Sequence, residues 1–238
     1  MTTTLAIPPS WTFEDAGVAE HFDSHVREQL PWYGLATTAV AHLARHYIAD
    51  DGLVYDIGCS TGNIGRALAD ALDERRARLI AIEKSPEMAS RYAGPAGTLV
   101  IDDCTQVQFE PFDVAVLFLT MMFIPARARL ALLDLLRQRC RPGGAIILVD
   151  KLEATGGYIA TALWRLTLAA KLDQGAAPAD VLAKELSLIG VQRPISTALV
   201  AGWQPFFRYG DFAGFIWEAP QVPTGGVARR DGEGFDVA

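Results

Sequence analysis

The segment Asp56-Ile57-Gly58-Cys59-Ser60-Thr61-Gly62-Asn63-Ile64-Gly65 has the residue types of a loop that binds a nucleotide-like ligand. It follows a short apolar run and opens a helical pattern, which is the context that such a loop requires. Gly58 and Gly62 allow sharp turns and a close approach of backbone to ligand. Free N–H groups at the start of the helix suit a ligand carboxylate. Glycines of this kind also occur in ordinary strand–helix turns, so the loop alone leaves both interpretations open.

Acidic residues follow further strands of the predicted sheet. Glu83 ends the second strand, where a carboxylate can accept hydrogen bonds from both ribose hydroxyls. Asp103, just past the third strand, can accept from an adenine amino group, and the N–H of Cys104 can meet a ring nitrogen. Taken singly, Glu83 fits a solvated loop and Asp103 a polar turn. Together with Asp56 they predict an adenosyl ligand, and because the loop lacks the G-x-G-x-x-G spacing of NAD sites, we predict S-adenosylmethionine (SAM) as the cofactor.

Strand and helix patterns alternate along the part of the chain that carries these residues. Alternation with short loops predicts an α/β fold with a Rossmann-like, doubly wound, mostly parallel sheet. The aromatic, alternating segment 203–218 predicts a closing antiparallel hairpin. We predict strands at 53–56, 78–82, 98–101, 112–119 and 145–149, and helices at 18–30, 36–47, 63–72, 86–92, 127–140, 157–172 and 178–190.

The chain is expected to form one SAM-binding domain over residues 1–219. Within it we predict an N-terminal helical cap over 11–48 and a helical insertion over 155–190. Glycine, proline and charged residues dominate from Pro220 onward, so residues 220–238 are expected to be a disordered tail.

Composition excludes several classes of function. Half of the 238 residues are apolar and the formal net charge is −7, so no general affinity for nucleic acid is expected. Cys59, Cys104 and Cys140 are scattered and odd in number, which indicates reduced thiols and a cytoplasmic protein. The N-terminus lacks the pattern of a signal peptide, and no apolar run is long enough to predict a membrane span.

The sequence identifies no catalytic residue and predicts no metal site. His21 and His25, and likewise His42 and His46, lie four residues apart, but neither pair has a third ligand at a suitable spacing, so partly exposed helical positions are expected. Methyl transfer from a sulfonium is a direct displacement and needs no obvious catalytic pair. Tyr33 and Lys151 are the candidates for a general base.

These motifs resemble class I SAM-dependent methyltransferases, and more closely the carboxy-SAM synthases that serve tRNA wobble-uridine modification. The resemblance covers roughly residues 11–219 and includes Trp11-Thr12-Phe13, Tyr55-Asp56-Ile57-Gly58-Cys59-Ser60 and Ser85-Pro86-Glu87-Met88. Cys59-Ser60 replaces the commoner Cys-Gly. The resemblance implies the class I methyltransferase fold, a homodimer and a tyrosine, Tyr33, that covers the cofactor. The predicted cofactor contacts are Tyr33, Asp56, Gly58, Cys59, Ser60, Gly62, Glu83, Lys84, Asp103, Cys104 and Phe118.

Two positions depart from the carboxy-SAM synthase pattern. Phe118 stands where that family has an asparagine, and an ungapped match places Glu185 where it has an arginine that holds the extra carboxylate of carboxy-SAM. A glutamate there is expected to repel a carboxylate. Arg165, Arg193 and Arg208 are candidates to replace the arginine.

The sequence therefore predicts a SAM-dependent methyltransferase whose methyl acceptor is unidentified. The alternative is a carboxy-SAM synthase, in which prephenate supplies the carboxyl group. A third hypothesis is a non-catalytic SAM-binding subunit.

Overall fold

The computed structural model describes residues 6–154 and 156–221. Their strands form a single seven-stranded sheet in the order β3-β2-β1-β4-β5-β7-β6. The first five strands pair in parallel, whereas β7 runs antiparallel to both β5 and β6. The strands are β1 (Leu53–Ile57), β2 (Arg78–Glu83), β3 (Thr98–Ile101), β4 (Phe112–Phe118), β5 (Cys140–Lys151), β6 (Gln204–Tyr209) and β7 (Phe212–Glu218).

The strand order reverses between β1 and β4, which are neighbours in the sheet but not in the chain. In open α/β sheets a ligand site lies at such a switch point, outside the carboxyl ends of the strands. The predicted Rossmann-like α/β fold with a closing antiparallel hairpin is confirmed. The expected disordered tail falls almost entirely on residues 222–238, which lie outside the described residues.

Seven helices accompany the sheet in the described part of the chain. Two precede β1, and two more connect β5 to β6. Asp15 caps the first helix by accepting a hydrogen bond from the N–H of Val18, and Ser85 caps the fourth in the same way from Met88. The helices are α1 (Ala16–Gln29), α2 (Tyr33–Ala44), α3 (Asn63–Arg75), α4 (Pro86–Ala89), α5 (Ala126–Arg139), α6 (Gly157–Asp173) and α7 (Pro178–Ser187). Of the helices described, none has the length and apolar character needed to cross a membrane.

The core lies on both faces of the sheet. Alternate residues of the central strands point to opposite faces, so Tyr55 and Leu117 pack with Leu133 of α5 on one side. Val54 and Val116 pack on the other side with α2 and α3. Every residue of β1 and β4 is buried. The central strands are therefore fixed from both sides, and they hold their carboxyl ends in register.

The clearest difference from the predicted elements is the start of β5. We expected the segment Arg141-Pro142-Gly143-Gly144 to end a helix and a strand to begin at Ala145. Instead β5 begins at Cys140, which pairs with Phe112, and the next pair is Val114 with Ala145. The irregularity absorbs the extra residues on the β5 side, with Gly143 at a φ of +79°. A proline–glycine signal thus marks a bulge as well as a helix end.

Leu133→Ala should destabilise the fold strongly, because Leu133 is fully buried between α5 and the sheet. The lost contacts and the cavity left behind should lower the free energy of unfolding by about 2–5 kcal/mol. Urea denaturation followed by circular dichroism measures the change. Leu130→Ala is the matched control on α5, because Leu130 is 56% exposed, and equal losses in the two variants would contradict this packing.

Candidate active site

A cavity of about 380 Å³ opens at the carboxyl ends of the parallel strands. Its walls come from the loops after β1 to β4, from the end of β5 and from α1, α2, α6 and α7. Ten of the eleven predicted cofactor contacts line it. The exception is Gly62, whose φ is +92° and whose added Cβ would lie 2.6 Å from the backbone nitrogen of Gly94. Position 62 requires glycine because the backbone packs closely against Gly94, and Gly62 does not line the cavity.

The loop after β1 is held by its own backbone and by a neighbouring threonine. The N–H groups of Gly58 and Cys59 donate to the carbonyl of Ile82 at 2.8 and 2.9 Å. Thr120 donates to the carbonyl of Ile57 at 2.8 Å and lies against Gly58, where an added Cβ would approach its side chain to 2.6 Å. A glycine is required at position 58 by this contact and by its φ of +73°.

Glu83 links the loop after β1 to the turn after β2. Its carboxylate oxygens accept hydrogen bonds from the N–H of Ser60 at 2.8 Å and from the N–H of Ser85 at 2.9 Å. Burial raises the pKa of Glu83, and these hydrogen bonds oppose that shift. A carboxylate has about four acceptor positions. Glu83 therefore retains acceptor capacity towards the cavity while it fixes the loop.

Two buried polar atoms beside Glu83 have no hydrogen-bond partner among the described residues. They are Oδ2 of Asp56 and Oγ of Ser60. Asp56 is 1% exposed, and burial raises its pKa to about 7 against a hydrogen bond from Gly65, with Glu83 adding to the rise. Buried polar atoms are almost always paired, so these two indicate where a ligand would supply hydrogen bonds.

Asp103 is engaged more fully than the sequence suggested. One oxygen accepts from the N–H and hydroxyl of Thr105 at 2.9 and 2.8 Å, and the other lies 3.0 Å from the ammonium of Lys84. Although partial burial opposes the shift, these partners lower the pKa of Asp103. Cys104 is buried beside it in the cavity wall. An adenine amino group would share the Asp103 carboxylate with Lys84.

Both candidate bases are engaged by other groups of the chain. Burial raises the pKa of Tyr33, with Asp23 adding to the effect, so its phenol stays protonated. Its ring contacts Phe118 edge to face at 5.2 Å. The ammonium of Lys151 lies 3.5 Å from Asp211 and 3.9 Å from Glu185. Lys151 is therefore engaged by two carboxylates of the chain itself.

The far end of the cavity contains residues that the sequence analysis missed. His25 is 8% exposed and stacks on Trp11 with a centroid distance of 5.6 Å. The expected exposed position is therefore wrong for His25, because α1 turns that face towards α7. Lys171 and Lys184 also line the cavity. Their positions in apolar helical patterns gave no signal, since only the packing of α6 and α7 brings them to the site.

Glu185 does not make the cavity repulsive to anions, contrary to the expectation from its sequence position. Its carboxylate lies 2.9 Å from the ammonium of Lys171 and 3.9 Å from that of Lys151. Although burial opposes the shift, these lysines lower the pKa of Glu185. The three candidate arginines, Arg165, Arg193 and Arg208, do not line the cavity. Lysines from β5 and α6 neutralise the glutamate instead.

Within residues 6–154 and 156–221 there is no group of three or more histidine, cysteine, aspartate or glutamate side chains that could hold a metal ion.

Comparison with known proteins identifies the family. A methyltransferase domain model matches residues 54–144. The carboxy-S-adenosyl-L-methionine synthase of Shewanella pealeana is 30% identical to this chain over 188 residues, which cover 76% of this chain and 77% of that protein. The Shewanella sediminis protein of the same name is 29% identical over 188 residues, with the same coverage of both chains. Human N-acetylserotonin methyltransferase in complex with SAM has a TM-score of 0.53, 14% identity and coverage of 88% of this chain and 58% of that one. A SAM-dependent methyltransferase from Methanococcus maripaludis has a TM-score of 0.52, 14% identity and coverage of 92% and 100%.

The fold, the matched domain and the glycine loop define a class I SAM-dependent methyltransferase, an enzyme that takes SAM as its cofactor. Within that class, the chain belongs to the carboxy-S-adenosyl-L-methionine synthase family.

The neutral state of His25 should make the fold sensitive to acid. Burial, with help from Lys184 and Lys171, lowers the pKa of His25 from 6.5 to about 4. Between these values the unfolded chain binds the proton and the folded chain does not, so this contribution to stability is complete above about pH 6.5 and is lost as the pH falls towards 4. At about 1.4 kcal/mol per pKa unit, the loss reaches about 3 kcal/mol.

Urea unfolding at about pH 7 and about pH 4.5 measures this effect in wild type and His25→Asn. The free energy of unfolding should fall less in the variant. His46→Asn, at an exposed histidine in the turn after α2, is the control and should behave as wild type. Equal acid sensitivity in all three proteins would show that His25 is not the group responsible.

Proposed function

We propose that the chain transfers the methyl group of SAM to an acceptor bound in the same cavity. The observation that carries this proposal is the pair of unpartnered buried atoms, Asp56 Oδ2 and Ser60 Oγ, beside Glu83 at the switch point of the sheet. A ligand with several hydrogen-bond donors and a positive charge matches them, and SAM has an ammonium, a sulfonium and two ribose hydroxyls.

Each part of SAM is bound by residues that follow a different strand. Asp56 and the loop after β1 hold the amino-acid part of SAM, Glu83 accepts from the ribose, and Asp103 with the N–H of Cys104 meets the adenine. Tyr33 covers the cofactor against Phe118. The proposed contacts are Tyr33, Asp56, Gly58, Cys59, Ser60, Glu83, Lys84, Asp103, Cys104 and Phe118, while Gly62 shapes the loop from behind.

When bound, SAM supplies an electrophilic methyl group. The chain's own contribution is alignment and exclusion of water, which are the main requirements of a direct displacement. Apolar side chains that include Phe13, Phe22, Met122 and Phe123 form the wall of the cavity beyond the cofactor residues. No general base is assigned, so the proposed reaction suits an acceptor that is nucleophilic without one.

Carboxy-SAM synthesis from SAM and prephenate is the second candidate. It is supported by the family to which the chain belongs and by the pairing of Glu185 with Lys171, which removes the expected repulsion of a carboxylate. Phe118, in place of the family's asparagine, opposes it. A role in tRNA modification follows from this candidate alone. Membership of an enzyme family argues against a non-catalytic SAM-binding subunit.

A homodimer is proposed on the evidence of exposed apolar side chains on α6 and on α7 and the turn after it. Tyr158 is 79% exposed, Leu182 62% and Ile189 74%. Large exposed apolar side chains that cluster on a surface often mark interfaces. Three buried cysteines with free thiols agree with the predicted cytoplasmic location, which stays a prediction.

Mass spectrometry of the ligand that co-purifies with the protein tests the two candidate reactions. SAM or S-adenosylhomocysteine would support methyl transfer. Carboxy-SAM, or its formation when the protein is incubated with SAM and prephenate, would establish the second candidate instead.

Glu83→Ala should weaken SAM binding by about 1–3 kcal/mol, because it leaves ribose hydroxyls without their acceptor and frees the N–H of Ser60. Isothermal titration calorimetry with SAM measures the loss, and circular dichroism checks the fold. Glu74→Ala, an exposed glutamate on α3, is the control and should bind SAM as wild type does. Unchanged affinity in folded Glu83→Ala would remove Glu83 from the cofactor site.

A further inference from the structure

The helical cap formed by α1 and α2 faces the loop after β1 across the cavity. Phe22, His25 and Gln29 of α1 and Tyr33 of α2 line the cap side, and residues 58–60 line the loop side. A cofactor bound in the cavity therefore lies between two separate segments of the chain. Its contacts depend on how the cap is held against the loop.

A carboxylate on α1 fastens the cap to the loop. Oδ1 of Asp23 accepts a hydrogen bond from the hydroxyl of Thr61 at 2.6 Å, and its other oxygen lies 3.5 Å from the guanidinium of Arg66. Arg66, on the helix that the loop opens, also donates to the carbonyl of Thr61 at 2.6 Å. We call Asp23, Thr61 and Arg66 the cap latch. Their contacts form a closed ring that joins α1 to both the loop and α3.

A second polar contact lies beside the cap latch. Arg27 of α1 donates to the side-chain oxygen of Asn63 at 3.3 Å, and the amide nitrogen of Asn63 donates to the hydroxyl of Thr37 on α2 at 2.9 Å. Asn63 and Thr37 are both buried. Hydrogen bonds are directional, whereas apolar packing is not. This network therefore sets the position of the cap on the loop, which apolar packing alone would leave less defined.

The cap latch acts from behind the cavity wall. Asp23 and Thr61 do not line the cavity, but their neighbours in the chain, Phe22 and Ser60, do. The hydrogen bond between Asp23 and Thr61 thus fixes the separation of the two cavity walls without touching a ligand. Any effect of these two residues on the cofactor must act through the geometry of the cap and the loop.

The exposure of the cap latch suits a contact that opens and closes. Thr61 is buried, so its hydroxyl is costly to leave without a partner. The side chains of Asp23 and Arg66 are 49% and 35% exposed, so their ion pair contributes little. If α1 moves away, water can solvate both charged groups. The hydrogen bond to Thr61 is therefore the main interaction that the cap latch adds to the closed arrangement.

We propose that Asp23 is a positioning residue for the cofactor, and that its hydrogen bond with Thr61 holds the cap over bound SAM and slows SAM dissociation. The inference rests on SAM as the cofactor. It goes beyond the methyl transfer proposed above, because it concerns retention of the cofactor and not the identity of the acceptor. It applies equally to both candidate reactions.

Surface plasmon resonance with the immobilised protein measures association and dissociation of SAM. Asp23→Ala and Thr61→Val should each raise the dissociation rate constant about tenfold, the effect expected of one hydrogen bond to a charged group, and change the association rate constant much less. Thr61→Ser keeps the hydroxyl and should release SAM at close to the wild-type rate. The double variant should release SAM no faster than either single variant, because both changes remove the same bond.

Glu20→Ala is the matched control. Glu20 is an exposed carboxylate on the same helix, and it pairs with Arg91 at 3.7 Å outside the cap latch. A general role in docking α1 would raise SAM dissociation equally in Glu20→Ala and Asp23→Ala, and that result would overturn the proposal. Circular dichroism checks the fold of every variant. Unchanged dissociation in folded Thr61→Val, or additive effects of the two latch changes, would also overturn it.

Hydrogen–deuterium exchange provides a second measurement that does not depend on rate constants. S-adenosylhomocysteine should protect the amides of α1 and of the loop in wild type, but only those of the loop in Asp23→Ala. Equal protection of α1 in both proteins would contradict the latch. Such a failure leaves both candidate reactions standing as long as SAM binds, whereas a wild-type protein that binds no SAM would refute the cofactor on which the inference rests.

Discussion

The carboxylate of Glu83 is the interaction on which the geometry of the site depends. It is buried at the end of β2 and accepts backbone hydrogen bonds from Ser60 on one side and Ser85 on the other. A buried carboxylate is costly unless its acceptor positions are used. The two N–H groups offset part of that cost. The same hydrogen bonds fix the glycine loop against the end of β2. A single side chain thus couples the position of the loop to the register of the sheet.

The loop fixed in this way contains conformations that most residues avoid. Ser60 has a φ of +53° and Leu119, after β4, a φ of +59°. Left-handed backbone costs a non-glycine residue roughly 1–2 kcal/mol. Both residues line the cavity and follow the two strands that meet at the switch point. The bonds from Ser60 to Glu83 and from Leu119 to the carbonyl of Val149 hold these strained positions. The chain's own hydrogen bonds accordingly fix the shape of the ligand site.

The acidic end of this site was predictable from sequence, and the basic end was not. Asp56, Glu83 and Asp103 follow strands directly, and the carboxyl ends of parallel strands must meet at one edge of the sheet. Their meeting follows from the alternation of elements alone. Lys171 and Lys184 reach the cavity because α6 and α7 fold back over the sheet, which no local pattern specifies. His25 follows the same rule, since the buried face of α1 depends on α7.

Sequence position was misleading for Glu185 for a related reason. A sequence alignment compares one residue with one residue. The net charge near a ligand is instead the sum of the side-chain charges from α6, α7 and β5. Lys171 and Lys151 surround the glutamate and offset its negative charge.

The carboxylates and the lysines of the site lie at opposite ends of the cavity, and this separation affects methyl transfer. Methyl transfer converts a sulfonium to a neutral thioether, so positive charge disappears from the cofactor as the reaction proceeds. That charge leaves with the methyl group, so lysines at the acceptor end disfavour an acceptor that would retain it, whereas carboxylates on the cofactor side favour the bound sulfonium.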